Sequence, residues 1–308
     1  MTNQTYQYYL NQKAVASYYL DLGNPEKAFE HFNNAYETSF GDEDLDLLLE
    51  LAFLYDEMGD SQKALGIFKK MIQIDPEFPT SYYGLATIYD NEENYEKAIL
   101  YYKKTLELDP SYEAAHFFLA NVYDELDETA LALTHYEKTL ELEPDYFYAY
   151  INIGCIYEGD NHNLKAYRYF YKAFNLDPTN YMALFNLGVV CRKLGQVKEA
   201  VRYYEKAMQV NKEYHNTYLN LAILYKEEYK DYEKSIEIYS KGLEHNPEIS
   251  VLYYNRACVY ALLGHQEEAM EDLKISVQLS PKLKDYLEKD EELAEVRKLL
   301  HHNERCFL

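Results

Sequence analysis

The sequence predicts an all-α chain built from repeated helix hairpins, and three observations carry that prediction. Breakers are scarce: 11 glycines and 8 prolines in 308 residues are too few for many short strands and turns. The prolines lie on a ruler, with Pro76, Pro110, Pro144 and Pro178 spaced 34 residues apart and Pro247 and Pro281 again 34 apart. Alanine and tyrosine keep the same register, as Ala64, Ala98, Ala132, Ala166 and Ala200, and as Tyr55, Tyr89, Tyr123 and Tyr157. A fixed period of this length marks stacked supersecondary units, each too small to bury its apolar face alone.

Each unit reads as two helices. In the unit starting at Leu45, the residues Leu48, Leu51, Ala52 and Tyr55 form one apolar helical stripe. Gly59 follows, where a left-handed residue closes a helix. Ala64, Ile67, Phe68 and Met71 form the second stripe, and Asp75-Pro76 closes the unit. That pair reads as the N-cap and first turn of the next helix. Small residues occupy the eighth place of every first helix, as Ala52, Ala86, Ala120, Gly154, Gly188, Ala222 and Ala257, where two helices approach closely.

The unit starts are 9, 45, 79, 113, 147, 181, 215 and 250. Eight units then span residues 9–283, after a short lead-in at 1–8. One residue is inserted near Tyr229. Residues 284–308 read as a capping helix and tail, with Leu283, Tyr286, Leu287, Leu293, Val296 and Leu300 along one amphipathic helix whose other face is charged.

The segment Tyr181-Met182-Ala183-Leu184-Phe185-Asn186-Leu187-Gly188, with Gly195, Ala200, Tyr204 and Ala207, resembles the tetratricopeptide repeat pattern, and the resemblance covers about nine-tenths of the chain. It implies a right-handed α-solenoid superhelix of antiparallel helix hairpins, with the first helix of each pair lining a concave groove where partners bind. Four places depart from the pattern: Cys191 for tyrosine, Lys212 for proline, Ser235 for alanine and Arg256 for leucine. They bear on local packing.

On that groove face the fifth place reads Leu49, Tyr83, Phe117, Ile151, Phe185, Leu219 and Tyr254, either packing between units or a row of apolar pockets. The sixth place carries Asn152, Asn186, Asn220 and Asn255 in four consecutive units, after Glu50, Gly84 and Phe118. An amide offers a donor and an acceptor, so this row suits the backbone of an extended peptide, or else bonds to a neighbouring helix. The twelfth place reads Asp56, Asp90, Asp124 and Glu158, then Arg192 and Lys226. It is a solvated face or a polar groove that sets ligand direction. Asn121 and Asn152 match the asparagines of the family's two-carboxylate clamp, but Phe117, Met182 and Asn186 stand where its bases belong. Capture of a free C-terminal carboxylate is therefore not expected.

Charge narrows the partners. The chain carries 30 bases and 53 acids, a net −23, which opposes a nucleic-acid backbone or an anionic membrane surface. The acidity is uneven: residues 1–154 hold 29 acids and 9 bases, a net −20, whereas the remainder holds 24 acids and 21 bases, a net −3. A basic partner segment facing the N-terminal half is expected. No phosphate loop, nucleophile elbow or zinc-ligand cysteine pair is present, so neither an enzyme nor a cofactor is expected. His301, His302 and Cys306 read as a tail, and Cys155, Cys191 and Cys258 as small apolar residues in first-helix stripes. The absence of an export signal points to the cytoplasm. The function expected is a non-enzymatic protein–protein interaction scaffold that binds an extended segment in its groove. The alternatives are a peptide-responsive regulator, for which residues 1–8 leave no room for an output domain, and a self-assembling array stacked through exposed aromatics at its ends.

Overall fold

The computed structural model describes residues 2–299, and every regular element among them is helical. Two compact units follow one another, the first ending at Ala149 and the second beginning at Tyr150. The first contains α1 (Thr2–Asp21), α2 (Pro25–Tyr36), α3 (Leu45–Glu57), α4 (Ser61–Ile74), α5 (Pro79–Asn91), α6 (Tyr95–Leu108), α7 (Glu113–Glu125) and α8 (Thr129–Leu142). Helix α9 (Phe147–Gly159) spans the junction. The second continues with α10 (Asn163–Leu176), α11 (Tyr181–Lys193), α12 (Val197–Val210), α13 (His215–Leu224), α14 (Tyr232–His245), α15 (Ser250–Leu262), α16 (Gln266–Leu279) and the short α17 (Leu283–Leu287). Within each unit consecutive helices pack as hairpins, the arrangement of an α-solenoid.

The repeated residues each have a mechanical role. The eighth-place small residues are fully buried where they are alanine. Where they are glycine, an added Cβ would lie 2.4 Å from the Phe170 ring at Gly154 and 2.6 Å from the Tyr204 ring at Gly188. The ruled tyrosines close the first helices: the Tyr55, Tyr89, Tyr123 and Tyr157 carbonyls each accept a 2.8 Å bond from an N–H five residues on, as in a Schellman cap. Their rings also hold lysines from the second helix, with Lys97 Nζ 4.5 Å from the Tyr89 centroid and Lys165 Nζ 4.7 Å from that of Tyr157.

The inserted residue near Tyr229 is absorbed by one π-helical turn, Tyr225–Tyr229. There the closing bond runs from Asp231 N–H to the Tyr225 carbonyl at 3.1 Å, one residue longer than elsewhere.

The other departures are locally satisfied. Ser235 is fully buried and donates to the Ala222 carbonyl at 2.9 Å. Arg256 grips Asp272 through two 2.7 Å bonds. Cys191 is fully buried, and burial pushes its thiol up to about 11. Lys212 follows Asn211, whose side chain accepts from the Glu213 N–H at 3.0 Å and so holds the turn without proline.

Three readings are corrected. Asp75 caps the end of α4 and accepts from the Glu77 N–H at 2.9 Å, a side-chain turn, while the next helix starts at Pro79. Cys155 is exposed rather than packed. The segment after Pro281 is not one continuous helix: α17 ends at Leu287, a turn follows in which Asp290 accepts from the Glu292 N–H at 3.0 Å, and helix resumes at 294–299. Leu287, Leu293 and Val296 still bury against Tyr254, Ala257, Cys258 and Leu273. At the other end, residues 2–8 belong to α1. Leu300, His301, His302 and Cys306 lie outside the described residues.

Candidate functional site

The fifth-place row is largely committed to packing. Phe117, Ile151 and Tyr254 are buried, and the others are half-buried. Tyr83 lies 5.0 Å from Tyr112 and 6.2 Å from Phe118, Phe117 lies 4.7 Å from Tyr146, and Phe185 lies 5.1 Å from Tyr214, centroid to centroid. Tyr254 donates to Asp290 at 2.9 Å. Tyr112, Tyr146 and Tyr214, each just before the next first helix, fill the space beside Tyr83, Phe117 and Phe185 that the row would otherwise offer as pockets.

The asparagines at the sixth place are half-buried and differ in their bonding. Asn220 donates to the Asn216 carbonyl and Asn255 to the Val251 carbonyl, both at 2.9 Å and both one turn back in their own helix. Each keeps one N–H and its carbonyl oxygen for another group. Asn186 makes no hydrogen bond among the described residues. Asn152 has bonding partners of its own. The sixth place of α5 has to be glycine, since a Cβ on Gly84 would fall 2.1 Å from the Phe68 ring. Asn121 in α7 accepts from the Tyr136 hydroxyl at 2.6 Å, a bond between the two helices of its own hairpin.

The twelfth place divides by unit. In the first, Asp56 accepts from Ser61 at 3.0 Å and Asp90 from the Tyr102 hydroxyl at 3.2 Å. Among the described residues Glu50, Asp56, Asp90 and Asp124 enter no ion pair, although five pairs form elsewhere in that unit. Burial holds the Asp90 carboxyl above its usual range, aided by the Glu125 carboxylate, with the Tyr102 bond pulling the other way. Burial and the neighbouring Glu125 and Asp127 do the same to Asp124, and burial with Asp46 does so to Glu50. In the second unit the same place is neutralised internally. Glu158 pairs with Lys193, Arg192 with Glu227, and Lys226 with Glu292 at 2.6 Å.

Sequence reasoning missed a histidine pair. His116 in α7 and His135 in α8 stand at places that hold Tyr82 and Tyr101 one repeat earlier. Their Nδ1 atoms are 2.9 Å apart, and burial pushes His135 down to about 4. The swap of both tyrosines in one repeat was its only trace.

Hairpins of a 13-residue and a 14-residue helix, with small buried residues at the eighth place, recur in both units. Tetratricopeptide repeat family models match residues 46–77, 79–112, 114–146, 147–180, 180–244 and 238–271. The chain belongs to the tetratricopeptide repeat family. A curated relative, the small glutamine-rich tetratricopeptide repeat-containing protein 2 of Mycosarcoma maydis, is 38% identical over 53 residues, which is 17% of this chain and 15% of that protein. Among solved structures, the chain is similar to one in the APC/C hetero-tetramer Cut9-Hcn1, with a TM-score of 0.60 and 19% identity over 89% of this chain and 52% of the other. It is also similar to a tetratricopeptide repeat protein from Parabacteroides merdae, with a TM-score of 0.58 and 18% identity over 88% and 99% of the two chains. A third is YrrB, described as a tetratricopeptide repeat protein with an unusual peptide-binding site, with a TM-score of 0.50 and 22% identity over 60% of this chain and 95% of that one. The chain thus spans about half the length of the first of these structures and a smaller part of the curated relative. These likenesses show the fold. Family membership and fold together support a protein–protein interaction scaffold. Among the described residues no helix is long and apolar enough to cross a membrane.

Proposed function

We propose that this member of the tetratricopeptide repeat family is a non-enzymatic scaffold of the cytoplasm. It takes an extended protein segment along its first-helix faces, and the part of the segment that meets the first unit is basic. The observation that carries this reading is the row Glu50, Asp56, Asp90 and Asp124. These carboxylates lack cationic partners in a unit that pairs its lysines elsewhere, and burial raises three of them. Carboxylates held charged at a cost gain most from an incoming cation. In the second unit Arg192 and Lys226 already hold Glu227 and Glu292, so an acidic ligand segment has to displace those acids. There the asparagines supply sequence-tolerant backbone contacts, and the peptide-binding site named for YrrB supports that role.

The test is fluorescence anisotropy with a lysine- and arginine-rich 15-residue peptide at two salt concentrations. The triple change Asp56→Asn, Asp90→Asn and Asp124→Asn weakens binding at least tenfold and flattens the salt dependence. Asn152→Ala, Asn186→Ala, Asn220→Ala and Asn255→Ala made together weaken a lysate-derived ligand with little change in salt dependence. Unaltered affinity in the aspartate triple mutant defeats the reading.

A further inference from the structure

The first helix exposes a face that the later repeats bury, apart from the half-buried Arg256 in α15. At the third, seventh and tenth places of their first helices, later repeats carry residues such as Leu47, Leu51 and Leu54, or Ala115, Leu119 and Val122, all at most 3% exposed. In the second repeat the cover is α2, whose Ala28, Phe32 and Ala35 share a core with Leu47, Leu51 and Leu54. The same places in α1 are Asn11, Val15 and Tyr18. All are exposed, Val15 by 37% and Tyr18 by 59%. Tyr8 and Leu22, exposed by 48% and 59%, extend the face at either end. Tyr8, Asn11, Val15, Tyr18 and Leu22 are spaced 3, 4, 3 and 4 residues, the seam of a two-helix contact. Helix α1 also buries Tyr9 and Ala16 against its own unit, so it is apolar on two sides.

We propose that this face is a docking surface for a second copy of the chain, with the two α1 helices antiparallel about a two-fold axis at Val15. Three observations select a copy. First, the seam is self-complementary: about that axis Tyr8 meets Leu22 of the second copy, and the Asn11 amide meets the Tyr18 hydroxyl, a donor–acceptor match. Second, charge permits it. Residues 1–149 carry nine bases and 29 acids, yet α1 has only Lys13 and Asp21, neither on the seam, and Lys13 is already paired with Asp44. Two polyanions can therefore approach along this helix. Third, among the described residues the apolar face of α15 and α16 is already occupied by Leu287, Leu293 and Val296, so it offers no open counterpart to the α1 face.

The contact is modest. The four apolar side chains expose on the order of 400 Å² per copy, taking ~200 Å² for a whole aromatic residue. About 800 Å² from both copies falls short of the ~1,200 Å² at the lower end of stable interfaces. A contact of that size belongs to weak, transient association.

Sedimentation velocity of the full chain from 5 to 500 µM tests this. The expected result is a monomer passing to a dimer and no further. Val15→Asp, which sets two carboxylates face to face on the axis, shifts the transition at least tenfold upward while leaving the circular dichroism spectrum and thermal midpoint of the monomer unchanged. Asn11→Asp and Tyr18→Lys each weaken association alone, and their equimolar mixture recovers it to within threefold of the parent, since only antiparallel helices bring those places together. A monomer throughout the range, growth beyond the dimer, or a dimer indifferent to Val15→Asp overturns the proposal.

Discussion

Each repeat turns from its first helix to its second through one exposed residue at positive φ. Four of these residues are glycine (Gly23, Gly59, Gly195 and Gly264), and four are Glu93, Asp127, Asn161 and Lys230, with φ between 54° and 60°. The geometry is the same in both sets apart from Lys230, where the closing bond spans the π-helical turn. Around Glu93 the Asn94 N–H bonds the Tyr89 carbonyl and the Glu93 N–H bonds the Asp90 carbonyl, both at 2.8 Å. A left-handed conformation costs an L-residue about 1–2 kcal/mol, which glycine avoids. Glycine returns about 0.4–1 kcal/mol through its freer unfolded chain. The net gain from glycine is then ~0.5–1 kcal/mol per site. The sites lie at least a repeat apart and share no partner, so their effects add. Glu93→Gly, Asp127→Gly and Lys230→Gly together are expected to stabilise the chain by ~1.5–3 kcal/mol and to raise the thermal midpoint by about 3–6 °C. Calorimetry reads both. Glu93→Gln, which removes the charge but keeps the strained backbone, is the control and gives little. Gly59→Ala is expected to cost about 1 kcal/mol. A triple glycine variant no more stable than the parent, or a Glu93→Gln variant equal to Glu93→Gly, refutes the strain argument.

Other consequences follow from packing and charge. Gly154→Ala drives a methyl against the Phe170 ring and is expected to cost about 1–3 kcal/mol in urea unfolding, with partial rescue by Phe170→Leu. Asp272→Ala strands Arg256 in a half-buried place and is expected to cost ~3–5 kcal/mol, whereas Arg256→Leu with Asp272→Leu costs much less, as measured in the same assay. Asp124 has a raised folded-state pKa, so the folded chain holds its proton to higher pH than the unfolded one. Its charge therefore costs stability in full above the folded pKa, and the cost vanishes as pH falls below the ordinary carboxylate range. Asp124→Asn is thus expected to stabilise at pH 7 and to match the parent near pH 3 in thermal melts, and binding of the basic peptide weakens as pH falls through the raised carboxylate range.

The fold was legible because its determinants are local and recur in one register. Tyr89 shows this: one residue supplies the cap carbonyl and the ring under Lys97, so its spacing alone announces the turn. The one-residue slip in the ruler near Tyr229 became a π-helical turn. The site was legible in its residue types and less so in their surroundings. Nothing in a periodic pattern says that Tyr112 and Tyr146 fill the space beside Tyr83 and Phe117. The Lys226 ion pair with Glu292 joins residues 66 apart across a segment that does not follow the period. Asp75 misled for a related reason: an aspartate before proline looks the same whether its side chain caps the helix ahead or holds a turn by accepting from the Glu77 N–H, and only the start of α5 at Pro79 separates the two.

Charge gives the first unit a direction of action that its sequence total conceals. Its lysines are drawn away from the first-helix row: Lys13 and Lys70 to Asp44 and Asp42, Lys104 and Lys138 to acids one turn along their own helices, and Lys27, Lys63 and Lys97 to tyrosine rings at the hairpin turns. Apart from Lys13 in α1, these lysines belong to the second helices of the repeats. Carboxylates on the first helices are left with hydroxyl partners at best, on a surface where burial and neighbouring acids hold the cost of ionisation high. Exposed pairs contribute little to stability, so swapping a lysine to this face would make little difference to folding. It would make a large difference to association, because unpaired charge on a partly desolvated face sets both encounter rate and salt sensitivity. Across this unit the lysine ion pairs and the carboxylates proposed to attract a ligand are therefore different charges, and the raised Asp90 and Asp124 carry a cost in folding that neutralisation relieves.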